Sequence, residues 1–419
     1  MKVGICGLGD RLSYVAKVMH ELIPNFDLVA YADPESVKVE YMQSHGISMR
    51  AYDELADMLQ NEQLDMLMIG SPNHMHLEHL RLGIEAGLLI FAEKPIVMSE
   101  QQTYDVLELI AKHNAFDKIL VGMVLRYAPL YKDLVAALSS KLLGEITSIE
   151  ASEHIPPEHG AFFMRDWRRH QGLSGGFLLE KCCHDLDLYQ GIVKSRPAKL
   201  ASFGGRRTFT PENKHLGKHP VYHQRKSRWN GIDEVFDNDS ELVDHQTALI
   251  QYENGINLSF HTNLNVPNDY RHFSVFGTLG MAEGDFVRNY FKVHDCITSG
   301  ALIDKTYLHD DSISMHYGAE EEMAADWIAF FEGHADEKFS GIMNLDREST
   351  KARELMIHPV IVKILDGVQR AEVVGLQTMY LFKKAKSAYA HQAWNPHQDN
   401  AYAQSRPGAY LTANIPFSD

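Results

Sequence analysis

The chain has 419 residues, with 40 Lys and Arg against 56 Asp and Glu and a formal net charge of −16. That length exceeds what one hydrophobic core usually serves, and the acidic balance argues against a nucleic-acid phosphate surface and against an anionic membrane. No apolar run is long enough to span a bilayer, and the four cysteines make neither a disulfide framework nor a zinc spacing.

With Cys182 and Cys183 adjacent, free thiols in a reducing compartment are the simplest account. The first strand begins at residue 2 with no signal peptide before it, so a cytoplasmic location is expected. Lys2-Val3-Gly4-Ile5-Cys6 reads as that strand, and Gly7-Leu8-Gly9-Asp10-Arg11-Leu12 follows at once. Val15, Val18, Met19 and Leu22 then recur at helical spacing, and a second strand, Asp27 to Ala32, ends in Asp33. A βαβ dinucleotide fold needs this order. The first glycine makes the tight turn, the second lets the backbone approach a pyrophosphate, the helix N-terminus holds the negative charge, and the acid takes the adenosine ribose. Gly7, Gly9, Asp10, Arg11, Leu12 and Asp33 are therefore candidate cofactor contacts, with Leu12 standing where the fingerprint has its third small residue. The Asp33 carboxylate repels a 2′-phosphate and Pro34 supplies no arginine to pair with one, so NAD is expected rather than NADP.

Met66 to Ile69 forms another apolar strand, which leads into Ser71-Pro72-Asn73-His74-Met75-His76 and a helix through Ala86-Gly87. The run Leu88 to Ala92 ends in Glu93-Lys94-Pro95. A proline restricts the residue before it to extended backbone, so Lys94 is fixed at the mouth of a strand, where it is placed to work rather than to pack. After a strand over Lys118 to Val121, a helix is expected over Leu130 to Leu142, followed by an alternating run at Thr147 to Ser152. Strands are expected over Lys199 to Phe203, Gln246 to Tyr252, Ile256 to Thr262 and His272 to Phe276, and helices over Glu320 to Glu332 and Arg347 to Asp366. The expected architecture is an α/β Rossmann domain over 1–124, an α+β domain with an open, mostly antiparallel sheet over 125–375, and a C-terminal extension over 376–419.

The turn at Ser71 to His76 and Glu93-Lys94-Pro95 are followed by Gly122, Arg126-Tyr127-x-Pro129 and Gly144-Glu145-Ile146. Trp167-Arg168, Gly175-Gly176 and Glu180-Lys181-Cys182-Cys183-His184-x-x-Asp187 complete the series. In this order the motifs resemble the glucose–fructose oxidoreductase, inositol dehydrogenase and MocA family (Gfo/Idh/MocA), over most of residues 1 to about 370. The resemblance implies further cofactor contacts at Ser71, Pro72, Asn73, His76, Glu93, Lys94 and Pro95. It also implies an NAD-dependent dehydrogenase oxidising a secondary hydroxyl of a sugar, polyol or sugar derivative. A glycosidase that uses bound NAD transiently shares the same residues and stays open as the alternative. A cofactor-binding protein without turnover is disfavoured by the presence of Lys94, Glu180 and His184 together.

Glu180 and His184 are four apart, so one helix would carry both on one face, opposite Lys94. His184 would take the hydroxyl proton while hydride leaves the same carbon, Lys94 would stabilise charge on the reacting oxygen, and Glu180 would partner the histidine. The family usually has an aspartate at the position of Glu180 and smaller residues at Lys181-Cys182-Cys183, which leaves Lys181 open to substrate or to the acid. Arg126, Tyr127, Trp167, Arg168, Lys181 and His245 are the expected substrate contacts, although packing in the sheet is an equal account of His245. No metal is expected, because His219 with His223 and His391 with His397 have no cysteine or carboxylate at a recognised spacing. The basic stretch Arg206 to Arg228 and the acidic Asp233 to Asp244 read either as a loop of mutually screening charge or as a substrate lid. The family further implies a homodimer or homotetramer built on one face of the open sheet. The aromatic residues Tyr380, Phe382, Tyr389, Trp394, Tyr402, Tyr410 and Phe417 suggest a tail that docks.

Overall fold

The structure is a computed structural model that describes residues 1–116, 118–225, 231–308 and 316–331. The expected helix over 347–366 and the C-terminal extension lie outside the described residues.

The first half alternates strand and helix. It runs β1 Lys2–Cys6, α1 Asp10–Leu22, β2 Asp27–Ala32, α2 Val39–Ser44, β3 Arg50–Tyr52, α3 Leu55–Asn61 and β4 Met66–Ile69. It continues α4 His76–Glu85, β5 Leu89–Ala92, α5 Glu100–His113 and β6 Ile119–Val121. All six strands are parallel in the order β3-β2-β1-β4-β5-β6. A central parallel strand is covered on both faces, which is why Met66-Leu67-Met68-Ile69 has no polar side and is buried throughout. β1 and β4 are neighbours and their following turns run to opposite sides of the sheet, so Gly7 and Ser71 meet at the topological switch point, where ligands bind such sheets. The large Leu12 is accommodated from the other side. A Cβ on Gly70 would come within 2.7 Å of the Leu12 Cβ, so the small residue needed for close helix–strand packing sits on the strand instead of the helix.

The second half opens with α6 Pro129–Ser139, β7 Ile146–His154, α7 Pro157–Arg165, α8 Gln171–Ser174, α9 Phe177–Glu180 and α10 Cys183–Val193. It then runs β8 Pro197–Gly205, β9 His245–Tyr252, β10 Asn257–Asn263, β11 Tyr270–Gly277, β12 Gly280–Asp285, β13 Tyr290–Asp295, β14 Ala301–Thr306 and α11 Ala319–Phe331. These eight strands form a sheet of order β14-β13-β12-β11-β7-β10-β9-β8, antiparallel except between β7 and β10. Alternation along β7 points Ile149, Ala151 and Glu153 into the core and Ser148, Glu150 and Ser152 to the other face. The fold class is therefore the one expected, with β12, β13 and β14 in this sheet and β3 in the first as strands the sequence did not suggest. β12, Gly-Met-Ala-Glu-Gly-Asp, contains two glycines and no β-branched residue, so only its pairing with β11 and β13 makes it a strand. α11 returns to the first sheet, where Trp327 packs edge-on against Phe91 with ring centroids 5.0 Å apart.

Between β8 and β9 the chain folds on itself. Phe209, Tyr222 and Phe236 form a small aromatic cluster with centroids 5.0–6.0 Å apart. The buried Asp244 carboxylate accepts backbone N–H groups from Arg207, Thr208 and Phe209, and Arg165 donates to the carbonyls of Tyr222, Arg225 and Asp233. The pair Lys214–Asp237 shows opposed charges of the two stretches screening each other, and Arg169 from before α8 pairs with Asp239. Asp244→Ala would leave three backbone donors without this acceptor, that of Phe209 buried, so it should destabilise the protein by about 1–3 kcal/mol. Thermal unfolding should show a lower midpoint for this variant. No helix among the described residues is long and apolar enough to cross a membrane.

Candidate active site

The glycine loop supplies one wall. Gly7 has φ +88, and a Cβ there would lie 2.6 Å from the Ser71 nitrogen, so both the turn and the close approach require glycine. Gly9 precedes α1 without any side-chain cap, leaving the N–H groups of the first turn available to an anion. One Asp33 oxygen accepts the Leu8 N–H at 2.7 Å and the other the Glu35 N–H at 2.9 Å, which fixes this buried carboxylate at the end of β2. Arg11 donates from Nε to Glu93 at 3.1 Å and from Nη1 to Glu320 at 2.6 Å, while its buried Nη2 has no hydrogen-bond partner among the described residues. A tight glycine turn, an uncapped helix start, a fixed acid and an orphaned guanidinium donor together suit a dinucleotide. Asp10 instead pairs with Lys38 at 2.6 Å.

The turns after β4 and β5 supply the second wall. The buried His76 ring lies 2.8 Å from the Ser71 carbonyl and 2.9 Å from that of Pro95, so it bolts the Ser71-Pro72-Asn73 turn to the segment carrying Lys94. Asn73 is buried and donates to the Ser174 carbonyl at 3.0 Å and to the Glu180 carboxylate. Lys94 Nζ donates at 2.7 Å to the main-chain carbonyl of Glu180, which lies at the end of α9. A cation there meets the negative end of a helix whose last carbonyls have no intrahelical partner.

The helix expected to carry both Glu180 and His184 is interrupted. α9 stops at Glu180, Lys181 (φ −105, ψ −48) and Cys182 (φ −88, ψ 2) make a turn, and α10 starts at Cys183. Arg168 claims the Glu180 carboxylate at 2.7 Å, Asn73 claims its other oxygen, and the carboxylate is not directed at His184. Burial alone would raise the Glu180 pKa, but Lys94 and Arg168 overcome it and hold the group below the ordinary carboxylate value. Glu180 is thus an ionised anchor for Arg168 and Asn73, and the expected pairing with His184 is corrected.

His184 is buried on α10, and its Nδ1 has no hydrogen-bond partner among the described residues. Burial, then the positive charge of Lys94, holds its pKa well below the ordinary histidine value, so the ring is neutral. Beneath it, the buried Arg271 forms ion pairs with Asp185 at 3.0 Å and with Glu153, which also receives Lys181 at 2.8 Å. Lys181 is therefore held by Glu153. Trp167 and Arg168 stack, with Cζ 4.3 Å from the ring, and extend the wall next to Glu180. Arg126 is engaged in a bidentate pair with Asp187 of α10, and the Tyr127 hydroxyl donates to Asp326 of α11 at 3.0 Å, so the two brace the segment before α6 against those helices. His245 lies with Thr247 and Leu249 on the face of β9 opposite the buried Ala248 and Ile250, with its Nδ1 3.0 Å from Asp244. Strand alternation thus turns it away from the face that carries Glu153 and Arg271.

Two site residues had no signal in the sequence. His316, just before α11, places its ring centroid 5.8 Å from that of His184, and its Nδ1 lies 2.8 Å from Glu320. Both come from a part of the chain more than a hundred residues beyond His184, and no motif or spacing links them to it.

Comparison with known proteins bears on the family and the fold. A family model described as "Oxidoreductase family, NAD-binding Rossmann fold" matches residues 1–120, and one described as "GFO/IDH/MocA C-terminal domain" matches residues 131–283. The inositol 2-dehydrogenase/D-chiro-inositol 3-dehydrogenase of Lactiplantibacillus plantarum is 22% identical over 241 residues, which is 56% of this chain and 65% of that relative. Among solved structures, myo-inositol 2-dehydrogenase from Lactobacillus plantarum superposes with a TM-score of 0.61 at 17% identity, over 84% of this chain and 97% of that one. Scyllo-inositol dehydrogenase from Lactobacillus casei, solved with NAD(H) and scyllo-inositol, gives a TM-score of 0.59 at 21% identity, over 80% of this chain and 88% of that one.

Proposed function

The chain belongs to the Gfo/Idh/MocA family of NAD-binding oxidoreductases, and from that premise we propose that it oxidises a secondary hydroxyl of a sugar, polyol or sugar derivative. The observation that carries this reading is a fixed cation, Lys94, held on the Glu180 carbonyl and near enough to the buried neutral imidazole of His184 to depress its pKa. When bound, NAD⁺ accepts the hydride. The residues around it handle the proton and the charge. His184 accepts the hydroxyl proton, which only the neutral ring can do. Lys94, already held by the Glu180 carbonyl, donates to the oxygen as negative charge grows on it. Arg168 and Asn73 keep the Glu180 carboxylate in place, so that its backbone continues to aim Lys94. The inositol dehydrogenases among the relatives support a polyol as the substrate class.

Incubating the protein with NAD⁺ and a panel of inositols, other polyols, aldoses and glycosides tests the proposal, with NADH absorbance and aglycone release followed together. Stoichiometric NADH from a polyol or sugar is the expected result. Aglycone release with no net NADH would overturn it in favour of a glycosidase.

Cofactor choice follows from Asp33. Its carboxylate is buried and fixed by two backbone donors, so it has little freedom to withdraw from a 2′-phosphate. NAD⁺ should bind more tightly than NADP⁺, and Asp33→Ala should narrow that gap. Titration calorimetry in which the parent protein prefers NADP⁺ would contradict this.

The open sheet also supports a homo-oligomer. On the face opposite the core, Phe203 of β8 is 73% exposed and Leu249 of β9 is 48% exposed, in adjacent strands. Burying such a face against a second copy is the expected arrangement. Light scattering should give at least a dimer mass, and a Phe203→Asp, Leu249→Asp double variant should give a smaller one.

A further inference from the structure

An unbroken chain of contacts runs from the glycine loop to the imidazole of His184. It starts at Arg11 in the first turn of α1, where Nε sits on Glu93, Nη1 sits on Glu320, and the buried Nη2 is left without a hydrogen-bond partner. Glu320 is fully buried, and the oxygen that takes Arg11 also meets His316 Nδ1 at 2.8 Å. The His316 ring then tilts against His184 at 5.8 Å, and His184 Nδ1 has no hydrogen-bond partner among the described residues. Neither His316 nor Glu320 has a part in the hydride or proton steps above, yet burying a carboxylate and an imidazole this deeply is costly without compensation.

We propose that His316 and Glu320 are a positioning pair that carries occupancy of the glycine loop to His184, with Arg11 as the joint. The inference rests on the reading of His184 as the proton acceptor. Four groups face His316: Glu320 from the first turn of α11, Arg11 from α1, His184 from α10, and the charge of Lys181 from the turn before α10. Burial first, then the Arg11 charge, pushes the His316 pKa down to about 4, and Glu320 pulls against them. The free Nη2 donor of Arg11 is suited to the pyrophosphate or ribose of a dinucleotide. An anion bound there shares the guanidinium charge, weakens its push on His316, and leaves the pull of Glu320 to prevail. His316 then gains proton affinity, its hydrogen bond to Glu320 tightens, and the turned ring bears on that of His184. With a pKa this low His316 stays neutral near pH 7, so it acts on His184 by position rather than by charge.

Ring-labelled histidine NMR on the full chain tests this, with ADP-ribose as the probe. That molecule carries the adenosine, pyrophosphate and ribose but no nicotinamide, so it reaches the loop without touching His184 through the charged ring. In the parent protein, ADP-ribose should raise the His316 titration by about one pH unit and shift the His184 ring signals. In Glu320→Gln, and separately in His316→Asn, with ADP-ribose at a concentration that calorimetry shows to saturate each variant, the His184 signals should stay in place. The proposal is overturned if ADP-ribose binds the parent and leaves His184 unmoved. It is equally overturned if His184 moves by the same amount in either variant. Both outcomes are independent of whether His184 accepts the substrate proton, which turnover against pH decides.

Discussion

Lys94→Ala is expected to lower turnover by about 10²–10³, the loss seen when one preorganised donor to a developing oxyanion is removed. That corresponds to about 3–4 kcal/mol of transition-state stabilisation. The argument is geometric. Nζ is already held 2.7 Å from the Glu180 carbonyl, so little rearrangement is needed when charge appears on the substrate oxygen. The loss should fall on kcat, with NAD⁺ affinity nearly unchanged, because the glycine loop, Asp33 and Arg11 do not depend on this side chain. A second effect follows from charge. After burial, Lys94 is the largest influence depressing the His184 pKa, so removing it should let that pKa rise. The acid limb of the residual activity should then move to higher pH. Steady-state kinetics on the substrate found in the panel reads both effects, and activity within a few-fold of the parent would remove Lys94 from the mechanism.

The parts of the site that lie in local sequence were legible. Gly7, Asp33 and Lys94 sit at strand ends whose strands are apolar and whose turns are marked by glycine or proline, so residue order alone placed them. His184 was legible through its motif, but the spacing argument attached to it failed. A separation of four implies a shared face only on an unbroken helix, and here the carboxylate at Glu180 is drawn to Arg168 and Asn73 while the backbone turns at Lys181-Cys182. Tertiary partners outweighed local periodicity. His245 shows the same limit in a strand, because only the register with β10 and β8 decides which face it takes. The insertion between Gly205 and His245 looked like a charge run. Its described residues are held by Asp244, Arg165 and three aromatic rings, whose contacts span tens of residues. His316 and Glu320 reach the site only because α11 folds back onto α1, and no window of sequence contains that information.

His184→Asn should cost more than any other single change, by about 10²–10⁴ in the oxidation direction, because the proton acceptor itself is lost. The variant should also flatten the pH profile. In the parent, burial and Lys94 hold the His184 pKa well below 6.5, so the neutral ring dominates at pH 7 and kcat/KM falls only as the pH drops towards that lowered value. With asparagine no group titrates there, and that acid limb should vanish. An unchanged profile would assign the base elsewhere; the Tyr127 hydroxyl, now seen bound to Asp326, would have to let go of that carboxylate to serve. Stability should carry the same signature with a sign that can be worked out. A histidine whose folded pKa lies below its unfolded value of about 6.5 binds fewer protons folded than unfolded, so its contribution is present above that value and lost as the pH falls through the window below it. His184 shares this with His316, His79 and His154, each pushed down to about 4, chiefly by burial. The thermal midpoint of the parent should therefore drop between about pH 6.5 and pH 4. His184→Asn has one fewer buried imidazole to charge, so its midpoint should fall less steeply over the same range. Parallel melting curves for the two proteins would show that His184 is not held neutral in the folded state.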